Sequence, residues 1–177
     1  DLLLGKWLGL SIVIAAYAVL SGVVELLLVR LITGYAPPDP LGAVAYLTAE
    51  AIVLLTVALV LGTRLPGIAS GAIVVVIYGL TWVAGVLGAV GAFFRTPGLV
   101  EAAETSRIIV PIDGLWRGAV YSLEPQVVVA VAGQQTQFQG NPFFAAQPPS
   151  VAFLVWSAVW IVGVLAAGIW LLRRREL

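Results

Sequence analysis

The sequence predicts an all-α protein, a polytopic bundle of four membrane-spanning helices with a mostly helical or irregular segment before the last span. Two observations predict this class. The hydrophobic fraction is 61% and the charged fraction 10%, with a mean hydropathy of +1.07, whereas a soluble domain is about half apolar and about a quarter charged. The chain also contains four apolar runs, each near the roughly 20 residues that a helix needs to cross a bilayer.

The composition excludes several function classes. The net charge is zero, so no basic field indicates a nucleic-acid partner. The chain has no Cys and no His, which removes disulfides, thiolate chemistry, the commonest metal ligand and the commonest general base. We therefore expect no metal and no cofactor.

The first predicted span covers about 7–32. Lys6 precedes it, and Trp7 stands where an interfacial Trp belongs. The chain begins at Asp1, without Met, and enters the apolar run almost at once, so we expect an N-terminal part to be missing. Three prolines, Pro37, Pro38 and Pro40, cannot continue the helix and predict a short turn.

The second and third spans, about 41–63 and 67–93, form a hairpin. The connection around Arg64 is so short that the two helices must lie antiparallel and side by side. The third span carries glycines at Gly85, Gly88 and Gly91, and small residues let helices approach closely in lipid. This face packs either within the subunit or against a second subunit.

The segment 94–150 is more polar and is predicted to be extracytoplasmic. An amphipathic helix is expected over 99–107, with Glu104 and Arg107 paired. A second helix is expected to begin at Asp113 as its N-cap residue, with Arg117 reaching back to the Asp113 carboxylate. Pro125 should end that helix. The apolar run 127–131 is too short to span, and 134–149 reads as a Gln-, Asn- and Pro-rich loop.

The last span, about 151–172, is followed by Arg173, Arg174 and Arg175. Basic residues directly after a span predict a cytoplasmic end, which places Lys6 and Arg64 on the same side. We assign these five residues to the cytoplasmic face as topological signals. Binding of anionic lipid by the arginines is a minor alternative.

Glu25 and Glu50 are the acids within the predicted spans. Counting residues at 1.5 Å rise puts both roughly 10–14 Å below the outer surface. A charge at such depth costs about 2.5–3.5 kcal/mol, so both carboxylates should face protein or water. They are candidates for the lining of a translocation path or for a proton-linked site. The alternative is a protonated or hydrogen-bonded Glu50 inside the bundle and a Glu25 that snorkels outward.

Asp113, Trp116 and Arg117 are candidates for an external gate. The alternative is structural: an exposed Asp–Arg pair contributes under about 1 kcal/mol, and Trp116 would anchor its helix at the interface.

Several segments together resemble a known family. The run Leu4-Gly5-Lys6-Trp7-Leu8-Gly9 resembles the Leu-Gly-Lys segment of ABC transporter permeases of the type-2 export family. The run from Ser106 to Arg117 resembles the segment before the last span in one branch of these permeases, and the arginine-rich C-terminus is similar to theirs.

The resemblance implies that the chain corresponds to spans three to six of a six-span permease in a prokaryotic inner membrane. It implies a homo- or heterodimer of permeases working with two cytoplasmic ATPase subunits. The chain has no Walker-type loop, so ATP hydrolysis is expected in that partner and not in this chain. A non-transport scaffold or assembly protein, docking a partner through 94–150, is the alternative. A membrane-embedded enzyme ranks third, because without His and Cys its chemistry would have to rest on carboxylates.

Overall fold

Seven helices make up most of the residues that this computed structural model describes, which are 2–132 and 141–173. Four of them are long and apolar enough to cross a membrane, which confirms the predicted all-α bundle, and no strand occurs among the described residues. In chain order the helices are α1 (Leu2–Thr33), α2 (Pro40–Gly62), α3 (Gly67–Phe93), α4 (Pro97–Ile109), α5 (Ile112–Leu123), α6 (Gln126–Ala132) and α7 (Val151–Arg173).

The helix ends follow local sequence signals. The Asp39 carboxylate accepts the N–H of Gly42 at 2.9 Å, and Pro40 occupies the first turn of α2, a position where its missing N–H costs nothing. Gly34 adopts a φ of 72° after α1, which glycine tolerates without a Cβ clash. The spans agree with the predicted limits within about two residues, except that α1 begins five residues early, at Leu2.

The pair formed by α4 and α5 turns back into the bundle, which the hydropathy pattern did not predict. From the end of α3 the chain reverses, and α4 runs back along α3. Ile109, the last residue of α4, lines the same cavity as Ile77 of α3. At a rise of 1.5 Å per residue, Ile77 lies about 24 Å along α3 from Phe93, the last residue of that helix. The end of α4 is therefore about that far from the reversal. We call α4 and α5 together the re-entrant pair.

Glycines on α3 make room for α4. A Cβ at Gly88 would lie 2.4 Å from Cβ of Ala103, and a Cβ at Gly91 would lie 2.6 Å from Cβ of Leu99. Gly85, Gly88 and Gly91 are all buried. The glycine face therefore packs within this chain, which decides between the two alternatives that the sequence left open.

The second helix of the re-entrant pair returns along α2. Ile112 and Leu115 of α5 form a buried core with Val53 of α2. At the other end of α5, the carbonyl of Ser122 accepts the N–H of Asp39 at 3.2 Å. Because Asp39 and Val53 are 14 positions apart, α5 lies beside roughly 21 Å of α2.

The last helix is bound to the tip of the re-entrant pair by two tryptophans. The indole N–H of Trp156 donates to the carbonyl of Ile108 at 3.0 Å, and that of Trp160 to the carbonyl of Ile109 at 2.7 Å. These carbonyls end α4, where they have no partner within the helix. On the other side of the bundle, the Trp7 indole donates to Oγ1 of the fully buried Thr56 at 2.9 Å, joining α1 to α2.

Candidate functional site

The candidate site is built on the re-entrant pair, where four charged side chains meet. Oδ2 of Asp113 accepts Nε–H of Arg107 at 2.6 Å and Nε–H of Arg117 at 3.2 Å. A second group of Arg107, Nη1, donates to Oε1 of Glu104. We call Glu104, Arg107, Asp113 and Arg117 the charge cluster.

The prediction that Asp113 caps the second helix is wrong. The cap position is held by Pro111, two residues earlier, and no side chain caps the helix. Because the helix already begins at Ile112, Asp113 lies within its first turn, and its carboxylate accepts charge-assisted hydrogen bonds from two guanidinium groups instead. The predicted contacts of Arg117 with Asp113 and of Arg107 with Glu104 are confirmed.

Asp113 is also not part of a surface bridge. Its side chain is only 6% exposed, and those of Arg107 and Arg117 are 18% and 22% exposed. A buried ion pair pays a desolvation cost that an exposed one does not. Each charge therefore depends on the others to remain in place.

The cluster is fixed to α3 at Gly85. Nη2 of Arg117 donates to the carbonyl of Gly85 at 3.1 Å. Oδ1 of Asp113 lies against the same residue, since a Cβ at Gly85 would come within 1.9 Å of it. Only a glycine leaves room for the Asp113 carboxylate here.

Glu50 and Glu25 lie in different surroundings. Glu50 on α2 is 6% exposed, and the Asp113 carboxylate lies near enough for the two acids to repel each other. Glu25 is exposed on α1. The two carboxylates thus do not share an interior surface within the described residues, although sequence counting puts them at similar depth.

Trp116 is half-buried beside the cluster on α5. Its predicted roles, interface anchor or part of a gate, stay predictions.

Three of the residues assigned to the cytoplasmic face, Lys6, Arg64 and Arg173, lie at one end of the bundle. Lys6 is exposed and lines a cavity of about 380 Å³ with Gly62 and Leu172. Nη2 of Arg64 donates to the carbonyl of Leu171 at 3.5 Å, near the C-terminus of α7, where the helix dipole favours a cation. Arg173 ends α7 and is exposed, while Arg174 and Arg175 lie outside the described residues.

A second polar contact joins the far end of α5 to the turn between α1 and α2. The Tyr35 hydroxyl donates to the carbonyl of Leu123 at 2.5 Å. Burial and the nearby charge of Glu124 raise the pKa of Tyr35. Burial likewise raises the pKa of Glu124, although Oε2 of Glu124 accepts the N–H of Ala145 at 3.4 Å, which opposes the shift.

Sequence reasoning found two members of the Asp113 interaction but missed the arrangement. Helical spacing predicts only the contact of Arg107 with Glu104, and the glycines at 85, 88 and 91 predict close packing without indicating which helix packs there. Their three-residue spacing directly before a reversal of the chain is the signal that indicates a returning helix.

Comparison with protein-family models, with curated proteins and with solved structures found no match. The function must therefore be inferred from the arrangement of this chain's own residues.

Proposed function

We propose that this chain is the membrane-spanning permease subunit of an ATP-driven ABC exporter. It forms the translocation path while a separate cytoplasmic ATPase subunit hydrolyses ATP. The proposal joins the sequence resemblance to one structural observation: the buried carboxylate of Glu50 lies beside a helix pair that turns back inside the bundle.

Two physical arguments support this proposal. A backbone reversal at membrane depth is tolerated where protein covers it or where it lines a water-filled cavity, and Pro111 at the turn of the re-entrant pair is buried. Ionisable side chains within a span are costly and commonly mark a substrate or ion path. Glu50 is such a group on α2, and the charge cluster on α4 and α5 lies next to the same turn.

The proposed partners are the ATPase subunit, a second permease subunit and the surrounding lipid. The chain would lie in a prokaryotic cell membrane with its C-terminus in the cytoplasm. Lys6, Arg64 and Arg173 would then belong to the face that the ATPase approaches.

The proposal predicts a gene for an ATPase near that of this protein, and the test is co-purification of the full-length protein with that ATPase, followed by ATP hydrolysis in proteoliposomes. We expect candidate substrates to stimulate hydrolysis. Glu50→Gln should reduce that stimulation and change its pH dependence, because it removes the ionisable group beside the re-entrant pair. Glu25→Gln is the matched control, since it makes the same change at an exposed position of a neighbouring span.

Unchanged stimulation by Glu50→Gln at every pH would remove Glu50 from the path. Failure to recover any ATPase with the protein would contradict the exporter proposal and favour the scaffold alternative.

A further inference from the structure

A small cavity opens between the charge cluster and the start of α7. Its volume is about 210 Å³, equivalent to about seven water molecules at roughly 30 Å³ each. That is smaller than the roughly 300–1,000 Å³ of pockets that take drug-sized ligands. The lining combines two cations and one carboxylate with small, polar and aromatic residues: Glu104, Arg107, Gly114, Arg117, Gln147, Pro149, Ser150 and Phe153.

Both arginines keep unused donors for this cavity. Nε of Arg107 donates to Asp113 and Nη1 donates to Glu104, which leaves Nη2 as the remaining donor. Nε of Arg117 donates to Asp113 and Nη2 donates to the carbonyl of Gly85, which leaves Nη1 as the remaining donor. Neither remaining nitrogen has an acceptor among the residues that the structure describes. Asp113 holds both guanidinium groups by Nε, and both arginines line the cavity.

The start of α7 adds a favourable field. Ser150 and Phe153 line the cavity, and Oγ of Ser150 accepts the N–H of Phe153 at 3.2 Å. The N-terminus of a long helix carries a partial positive charge that favours anions. Two fixed guanidinium groups and a helix N-terminus therefore converge on a space too small for a whole lipid or drug.

We propose that this cavity binds a phosphate group, held by Nη2 of Arg107 and Nη1 of Arg117. Guanidinium nitrogens match the oxygens of a phosphate in charge and geometry. The phosphate comes either from free inorganic phosphate or from the headgroup of an anionic phospholipid. The inference is independent of the exporter proposal, because it concerns binding alone.

Glu104 offers a substitution that should strengthen phosphate binding instead of weakening it. Its carboxylate is 59% exposed, lines the cavity and occupies one nitrogen of Arg107. It therefore competes with an incoming anion. Removing its charge should strengthen phosphate binding, whereas damage to the fold would weaken it.

The experiment uses the full-length protein purified in an uncharged detergent at constant ionic strength. Isothermal titration calorimetry measures the binding of inorganic phosphate and, separately, of dihexanoyl phosphatidylglycerol. Glu104→Gln should tighten binding by up to about fivefold, the size expected for one exposed charge. Glu101→Gln is the matched control, because Glu101 is exposed on the same helix but does not line this cavity. Arg117→Lys should weaken binding, since lysine keeps the charge but loses the guanidinium fork.

The two ligands distinguish the source of the phosphate. Binding of both ligands indicates a general phosphate site, and binding of the lipid alone indicates a headgroup site. Either result supports the inference if Glu104→Gln binds more tightly than Glu101→Gln. No binding of either ligand, or equal binding by the two Glu variants, would overturn it.

Discussion

The carboxylate of Asp113 lies directly against the backbone of Gly85, at the point where α5 meets α3. A Cβ at Gly85 would be 1.9 Å from Oδ1 of Asp113. The same backbone accepts a hydrogen bond from Arg117. One glycine thus makes room for the acidic centre of the charge cluster and also binds one of its cations, so Gly85 is the point where the charge cluster docks on α3.

Gly85→Ala should destabilise the docking of the re-entrant pair. The added methyl group forces Asp113 away from Arg107 and Arg117, and overpacking of this kind typically costs about 1–3 kcal/mol. Thermal unfolding of the purified protein in detergent should show a lower midpoint. Gly79→Ala on the same helix is the control, since no atom lies within 4 Å of its added Cβ. An equal effect of both substitutions would contradict the docking of Asp113 against Gly85.

Asp113→Asn should destabilise the protein more than Glu104→Gln. Asn leaves two half-buried guanidinium groups without their shared anion. Removing one partner of a fully buried ion pair costs about 3–5 kcal/mol, and we expect less here because both arginines keep some exposure. The exposed Glu104 should contribute under about 1 kcal/mol. Thermal unfolding midpoints of the two variants measure the difference, and a larger loss for Glu104→Gln would refute the central role of Asp113.

Trp160→Phe should loosen the tip of the re-entrant pair. The substitution keeps an aromatic ring but removes the donor to the carbonyl of Ile109, and one such hydrogen bond contributes about 0.5–1.5 kcal/mol. Hydrogen–deuterium exchange should become faster in α4 and at the start of α5. Trp82→Phe, which removes an exposed indole from α3, should leave that exchange unchanged.

The spans were predictable from the sequence, whereas the site was predictable only in part. Hydropathy locates α2, α3 and α7 because each is a long apolar run, interrupted by a charged residue only at Glu50 of α2, that ends at Gly, Pro or charged residues. It does not locate α4 and α5 against those spans, because their amphipathic pattern is equally compatible with a helix on the membrane surface. The pair of Asp113 with Arg117 follows from their spacing of four residues. The contacts of Arg117 with Gly85 and of Trp160 with Ile109 join residues far apart in the chain, and no local pattern encodes them.

Glu124 should make stability depend on pH. Burial raises its pKa in the folded state, so the folded protein binds a proton more tightly than the unfolded chain does. This contribution is complete below the ordinary pKa of Glu and is lost as pH rises through the raised value. Glu124→Gln should therefore gain thermal stability relative to the wild type as pH increases from about 4.

The Tyr35 hydroxyl and the N–H of Ala145 face the same region. Tyr35→Phe serves as the control, because it removes a neighbour without removing the titrating carboxylate. A constant difference between Glu124→Gln and the wild type at all pH values would count against the raised pKa.

Cysteine labelling can test the predicted orientation, because the chain has no native Cys to interfere. Pro38 lies in the turn between α1 and α2, and Pro66 lies in the connection between α2 and α3. Both are exposed and stand at opposite ends of α2. If the basic residues at Arg64 and Arg173 are cytoplasmic, a membrane-impermeant maleimide should label Pro38→Cys in intact cells. It should label Pro66→Cys only after the cells are permeabilised. The reverse pattern would place the Pro38 end of α2 on the cytoplasmic side, together with the end of α5 that the contact between Asp39 and Ser122 joins to it.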